Sequence, residues 1–167
     1  AALGVDGWLY ATVMDGRLLR WKESELRWQR VAQFETPRFF HRMIPSLEEG
    51  RIVVMGGAGR GGHMRTIEHV AIDGKPRPEI REYVLPAPSR VAYRQALLMS
   101  ENTIYAFGGN RGLKGDRFAP AQFSNDVWKI SLTSMTAEMA GKLPMAVQSM
   151  AAVSWKKGRG TRNVMVG

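Results

Sequence analysis

Three groups of residues in this chain could do chemistry. The first is Gly57-Ala58-Gly59-Arg60-Gly61-Gly62, which follows the apolar run Ile52-Val53-Val54-Met55 and satisfies G-x-G-x-x-G. That spacing lets a strand present a pyrophosphate to a helix N-terminus, provided a helix of ten or more residues follows. Here His63-Met64-Arg65 leads at once into the alternating segment 66–72, and then into Asp73-Gly74-Lys75-Pro76. The stretch therefore reads as an arginine-bearing loop whose backbone N–H groups suit an anion, not as a dinucleotide site. The second group is the histidines, His41, His63 and His69. No carboxylate stands at metal-ligand spacing on the same element, so these residues call for no metal and no cofactor. The third is the arginines. Arg38 and Arg90 each lie 18 residues before a Gly-Gly pair, Gly56-Gly57 and Gly108-Gly109, and each has a second arginine four residues on, Arg42 and Arg94. The stretches after the glycine pairs add Arg60, Arg65, Arg111, Lys114 and Arg117, with Phe118 and Phe123 beside them. Arginine interleaved with aromatics is what a binder of an anionic partner presents. Arg38 and Arg90 have a second reading: bonds to backbone carbonyls that hold neighbouring sheets together.

Composition limits what such groups could serve. The chain has 167 residues, 24 Lys+Arg against 15 Asp+Glu, and no cysteine. Absence of cysteine excludes a disulfide scaffold, a thiolate metal site and thiol catalysis within these residues. The aliphatic runs are a few residues long (96–99 and 52–55 are the longest), far short of a membrane-spanning helix. No signal-peptide pattern opens the chain, and a first residue of Ala1 in place of Met leaves room for an upstream segment. A net charge of +9 invites nucleic acid as a partner. The cations are scattered, however, and the densest group, Lys156-Lys157-Gly158-Arg159-Gly160-Thr161-Arg162, is spaced by glycine like an exposed hairpin loop. A generally basic surface accounts for the charge without a nucleic-acid site.

The elements that must position these residues are strands. Trp8-Leu9-Tyr10-Ala11-Thr12-Val13 is followed by Met14-Asp15-Gly16 and then by Arg17-Leu18-Leu19-Arg20-Trp21. Further short runs follow at 26–31, 52–55, 67–72, 80–85, 92–99, 103–107, 127–132 and 164–166. β-Branched and aromatic residues on a period of two, punctuated by Asp-Gly, Gly-Gly and Pro, predict antiparallel strands and an all-β fold.

The strands repeat. Gly56-Gly57 and Gly108-Gly109 follow apolar strands 52 residues apart, and Val164-Met165-Val166 runs into Gly167 at the next such place. Downstream, Glu68-His69-Val70-Ala71-Ile72 aligns with Asp126-Val127-Trp128-Lys129-Ile130. A period near 50 residues, made of about four short strands, is that of a β-propeller blade. An apolar strand ending in Gly-Gly, a variable loop, Asn125-Asp126-Val127-Trp128, and Pro37-Arg38-x-x-His41 together resemble the kelch repeat of the galactose oxidase-like superfamily. The approximate repeats are 1–38, 39–90, 91–148 and the start of another at 149–167. Gly56, Gly57, Gly108, Gly109, Asp126 and Trp128 are then structural positions. The resemblance implies four-stranded blades in an incomplete arc of a larger ring, completed by blades elsewhere in a longer chain or by a second copy. It also implies a non-catalytic recognition role, with Arg38, Arg60, Arg65, Arg90, Arg111, Arg117 and Phe118 gripping a protein partner or other acidic ligand. The alternative it carries is a sugar-acting propeller enzyme, a mutarotase or an oxidase, with its catalytic residues outside this segment. The second alternative is non-specific nucleic-acid binding through the basic surface.

Overall fold

The structure, a computed structural model, describes residues 2–46, 49–72, 79–85, 92–112, 119–157 and 160–166. Among them there is no α-helix, and every strand pairing is antiparallel. The chain forms two compact units, Ala1–Val84 and Leu85–Gly167.

In the first unit, β1 (Ala2–Val5), β2 (Trp8–Thr12), β3 (Arg17–Trp21) and β4 (Gln29–Gln33) form one four-stranded meander. Its first turn is the dipeptide Asp6-Gly7, with φ of 49° and 78°; two successive positive φ values give the backbone twist that a two-residue hairpin needs. The second meander consists of β5 (Arg42–Ser46), β6 (Arg51–Met55), β9 (Thr66–Ala71) and β10 (Ile80–Val84). A small hairpin of β7 (Ala58–Gly59) and β8 (Gly62–His63) interrupts it between β6 and β9. The two meanders bury one core, in which Tyr10, Leu18, Val31 and Phe34 meet Met43, Ile52, Val54 and Val70. In the second unit, β11 (Ala96–Ser100), β12 (Thr103–Phe107), β13 (Ser124–Ser131) and β14 (Thr136–Val147) form a third meander, followed by the hairpin β15 (Ala151–Lys157) and β16 (Gly160–Val166). Within each unit the first strand of one sheet lies beside the first strand of the next: β1 by β5, and β11 by β15. Four-stranded meanders that meet through their first strands are the blades of a β-propeller.

The glycine pairs end the second strands, and φ is positive at all four residues. A Cβ on Gly57 would stand 2.6 Å from the Phe39 carbonyl oxygen, and one on Gly109 would stand 2.5 Å from Gln95 Cγ and 3.0 Å from the Tyr93 oxygen. In both sheets the connection entering the first strand crosses directly over the second glycine, through the isolated bridges Phe39–Ala58 and Tyr93–Asn110.

These bridges correct the alignment drawn from spacing. Phe39 corresponds to Tyr93, and Arg42, opposite Met55, corresponds to Ala96, opposite Phe107. The residue in the place of Arg38 is therefore Ala92, not Arg90. Phe40 and Arg94 then coincide as well, and both are non-glycine residues at positive φ, 57° and 60°. The third strands shift similarly. Val54 faces Glu68 while Ala106 faces Trp128, so Glu68 stands in the place of Trp128, and Thr66 in the place of Asp126. Each displacement is two residues, one full period of a strand, which keeps every side chain on its face and leaves the apolar pattern unchanged.

Replacing Gly57 or Gly109 by alanine should cost about 2–4 kcal/mol, since it combines a disfavoured φ with a clash against backbone or packed side chains. Gly61, with open space around it, should tolerate alanine within about 0.5 kcal/mol. Urea unfolding midpoints of the three variants check this.

Candidate functional site

Arg38 is buried, 1 % exposed, and its guanidinium faces into the second sheet. Nη1 donates to the Gly56 carbonyl at 3.2 Å and the Thr66 carbonyl at 3.4 Å. Nη2 donates to Thr66 Oγ1 and to Glu68 Oε1, both at 2.8 Å, and lies 3.5 Å from Glu82 Oε2. Glu68, also 1 % exposed, sits directly across from Glu82 in the β9–β10 ladder. Burial pushes the Glu68 carboxyl up to about 7; Arg38 opposes that shift and Glu82 adds to it. In the third sheet the equivalent positions are Ala92, Trp128 and Met139, since Trp128 faces Met139 across β13–β14. A charged trio in one blade thus stands where another has an apolar one. Sequence spacing had marked Arg38 without its partners. A glutamate inside the apolar strand Ile67-Glu68-His69-Val70 was the available sign, because a carboxylate on a buried strand needs a cation.

The loop above this trio carries the exposed arginines. Its base is fixed by Arg38 on the Gly56 carbonyl and by the paired bonds Phe39 N to Ala58 O (2.9 Å) and Ala58 N to Phe39 O (2.8 Å). Met64 N donates to Gly57 O at 2.9 Å, and the β7–β8 register places Arg60-Gly61 at the hairpin tip. Arg60 and Arg65 are exposed, and neither has a carboxylate against it among the described residues. In the second unit, the loop after Gly109 is tied down by Asn110. Its side-chain oxygen accepts from Gly112 N at 2.8 Å, and its amide donates to Gln148 at 3.0 Å. There Arg111 lies 3.6 Å from the Asp126 carboxylate. Asp126 and Trp128 are buried in β13. Arg90, Lys114, Arg117 and Phe118 lie outside the described residues.

The histidines are separate. His41 Nε2 and Thr12 Oγ1 form a short hydrogen bond that joins the second sheet's entry to the first sheet. His69 accepts at Nδ1 from Arg51 Nη1 (3.1 Å), and its ring packs on Tyr83 at 4.7 Å between centroids. Burial holds both imidazoles at about 4. Among the described residues no cluster of histidine and carboxylate side chains could hold a metal ion.

Fold and site together define an all-β protein built of antiparallel propeller blades, with an arginine-tipped hairpin after the second strand of the second blade. Residues 1–21, which contain β1 through β3, match the family model of the strictosidine synthase-like N-terminal region, a β-propeller family. No curated protein matches the chain.

Arg38→Ala should destabilise the protein by about 3–5 kcal/mol, because it strands a buried carboxyl group. The triple variant R38A/E68W/E82M, which copies Ala92, Trp128 and Met139, should recover most of that loss in the same unfolding assay. Separately, His41 and His69 titrate below their unfolded value of 6.5, so their contribution is complete above pH 6.5 and is lost as pH falls towards 4. The loss reaches about 3 kcal/mol per imidazole at most. His69→Gln should flatten that limb of a stability–pH profile.

Proposed function

We propose that this chain is a recognition scaffold of the kelch type that binds an acidic ligand, in the first instance a carboxylate-rich peptide segment of a protein partner, without catalysing a reaction on it. One observation carries this reading: Arg60 and Arg65 are exposed, with no carboxylate against them among the described residues, on a loop whose base is bonded to the sheet. A guanidinium held on a fixed backbone loses less freedom on binding a carboxylate than one on a mobile segment. Arg111, although it lies 3.6 Å from the Asp126 carboxylate, is proposed to contribute from the second unit, together with Arg117, Phe118 and Arg90. Arg38 supports the first unit's loop from beneath, where a ligand does not reach it.

The family-model match over residues 1–21 favours an enzyme as the second reading. Such an enzyme, sugar-acting or otherwise, would bind its small-molecule substrate independently of Arg60 and Arg65.

Calorimetric titration with a ten-residue Asp/Glu peptide, a Lys peptide of equal length and an arbitrary DNA duplex separates these cases. The acidic peptide should bind and the Lys peptide should not. The R60E/R65E variant should lose at least about tenfold in affinity for the acidic peptide, or 1.4 kcal/mol. No binding of the acidic peptide, or binding indifferent to the charge reversal, overturns the proposal. Salt-sensitive binding to the duplex that exceeds peptide binding would favour nucleic acid instead.

A further inference from the structure

The charged trio of the second blade is more than a staple. Two glutamates directly opposite each other on neighbouring strands repel, and a single guanidinium lies between them. Arg38 serves them unequally, at 2.8 Å from Glu68 and 3.5 Å from Glu82. The second oxygen of Glu68, Oε2, is buried and accepts no hydrogen bond. A buried carboxylate oxygen with no donor is costly. The same oxygen bearing a proton becomes a donor, and the acceptor across the ladder is the Glu82 carboxylate. Glu82 is the solvent-facing member, its side chain 42 % exposed, so a proton can enter and leave on that side.

We propose that Glu68 and Glu82 share one proton beneath Arg38, and that this proton clamps the outer strand β10 to β9. With the proton in place the trio carries one positive and one net negative charge, and the cross-strand contact is a hydrogen bond. When the proton leaves through Glu82 to solvent, two carboxylates oppose each other over one guanidinium. Among the described residues β10 pairs with β9 alone, which makes it the element able to yield.

The groups that face Glu68 are few. Arg38 reaches it from the connection before β5, Glu82 from β10, and Thr66 shares the guanidinium from β9 itself. β6 presents the apolar Val54. His41, three residues after Arg38, stays neutral until about pH 4 and so contributes no charge over the range in question. The raised carboxyl of Glu68, at about 7, places the transition near neutrality. The sign follows from its direction. A carboxyl whose folded value lies above its unfolded value of 4.5 stabilises at low pH and loses that contribution as pH rises through 7. The blade that carries Ala92, Trp128 and Met139 has no such group at these positions and supplies an internal control.

Hydrogen exchange of the full chain, corrected for intrinsic rates, tests this at pH 6 and pH 8. Protection of the β10 amides should fall by up to about tenfold across the interval, while β13–β14 amides change little. Carboxyl 13C NMR should show one glutamate titrating near pH 7. Glu82→Gln, a change at the half-exposed member, should lower that midpoint by about one unit or more by removing the like charge. Glu68→Gln should abolish the pH dependence of β10. The proposal is overturned if every glutamate titrates below about pH 5.5, if β10 protection is the same at both pH values, or if β13–β14 responds as β10 does. None of these outcomes depends on whether an acidic peptide binds Arg60 and Arg65.

Discussion

A guanidinium taken almost wholly out of water organises the second blade. Burying a charge is tolerable only when it is paired and hydrogen-bonded, and Arg38 achieves this through its two terminal nitrogens, which gather carbonyls and side chains from three places, while its buried Nε has no acceptor among the described residues. It binds the end of β6 through Gly56, the start of β9 through Thr66, and the β9–β10 ladder through Glu68 and Glu82. These bonds fix where the second strand stops and where the third begins. The loop between them, with Arg60 at its tip, starts and finishes on backbone that Arg38 holds. One buried cation thus connects packing of the sheet to display of exposed cations above it.

The third blade solves the same geometric problem with Ala92, Trp128 and Met139. An indole fills by dispersion and apolar burial the space that ion pairing fills in the second blade. Apolar replacement of a buried ion pair is commonly neutral or favourable for stability, so stability alone does not explain a charged trio in one blade. A titratable cluster has a property that an indole lacks: its energy depends on proton activity. The polar and apolar versions of one position therefore differ in what they respond to more than in how firmly they hold.

Much of the architecture was legible before any coordinates. Alternating β-branched and aromatic residues, the Asp6-Gly7 and Gly16 turns, and the two glycine pairs mark strand ends by local chemistry, and local chemistry is what sequence displays directly. The register between repeats was not legible. A slip of two residues conserves the inward and outward faces, so matching Arg38 to Arg90, or Glu68 to Asp126, looks as good as matching them to Ala92 and Trp128. Hydrogen-bond registers and the bridges at Phe39 and Tyr93 distinguish the alternatives. For Arg38 the sequence left two readings, a grip on a ligand and bonds to backbone carbonyls, and its bonds to the Gly56 and Thr66 carbonyls are of the second kind. Its burial depends on Glu68, Thr66 and Glu82, which lie 28 to 44 residues away and are brought to it only by the sheet. Exposure of Arg60 follows from its glycine-rich surroundings at the hairpin tip, whereas Arg65 is exposed in the short link from β8 to β9.

The crossing at Gly57 has a consequence for how such a chain can change. Because the backbone passes within contact distance there, the Phe39–Ala58 bridge closes the loop at its root and the bond from Met64 N to Gly57 O closes it on the other side. The segment between is a cassette, open to lengthening, shortening or recharging while its mounting stays constant. The corresponding loop of the third blade, mounted on Gly109 and Asn110, is already longer and differently charged. Variation of the loop and constancy of the fold are thereby assigned to different residues, and the boundary between them is a single glycine wide.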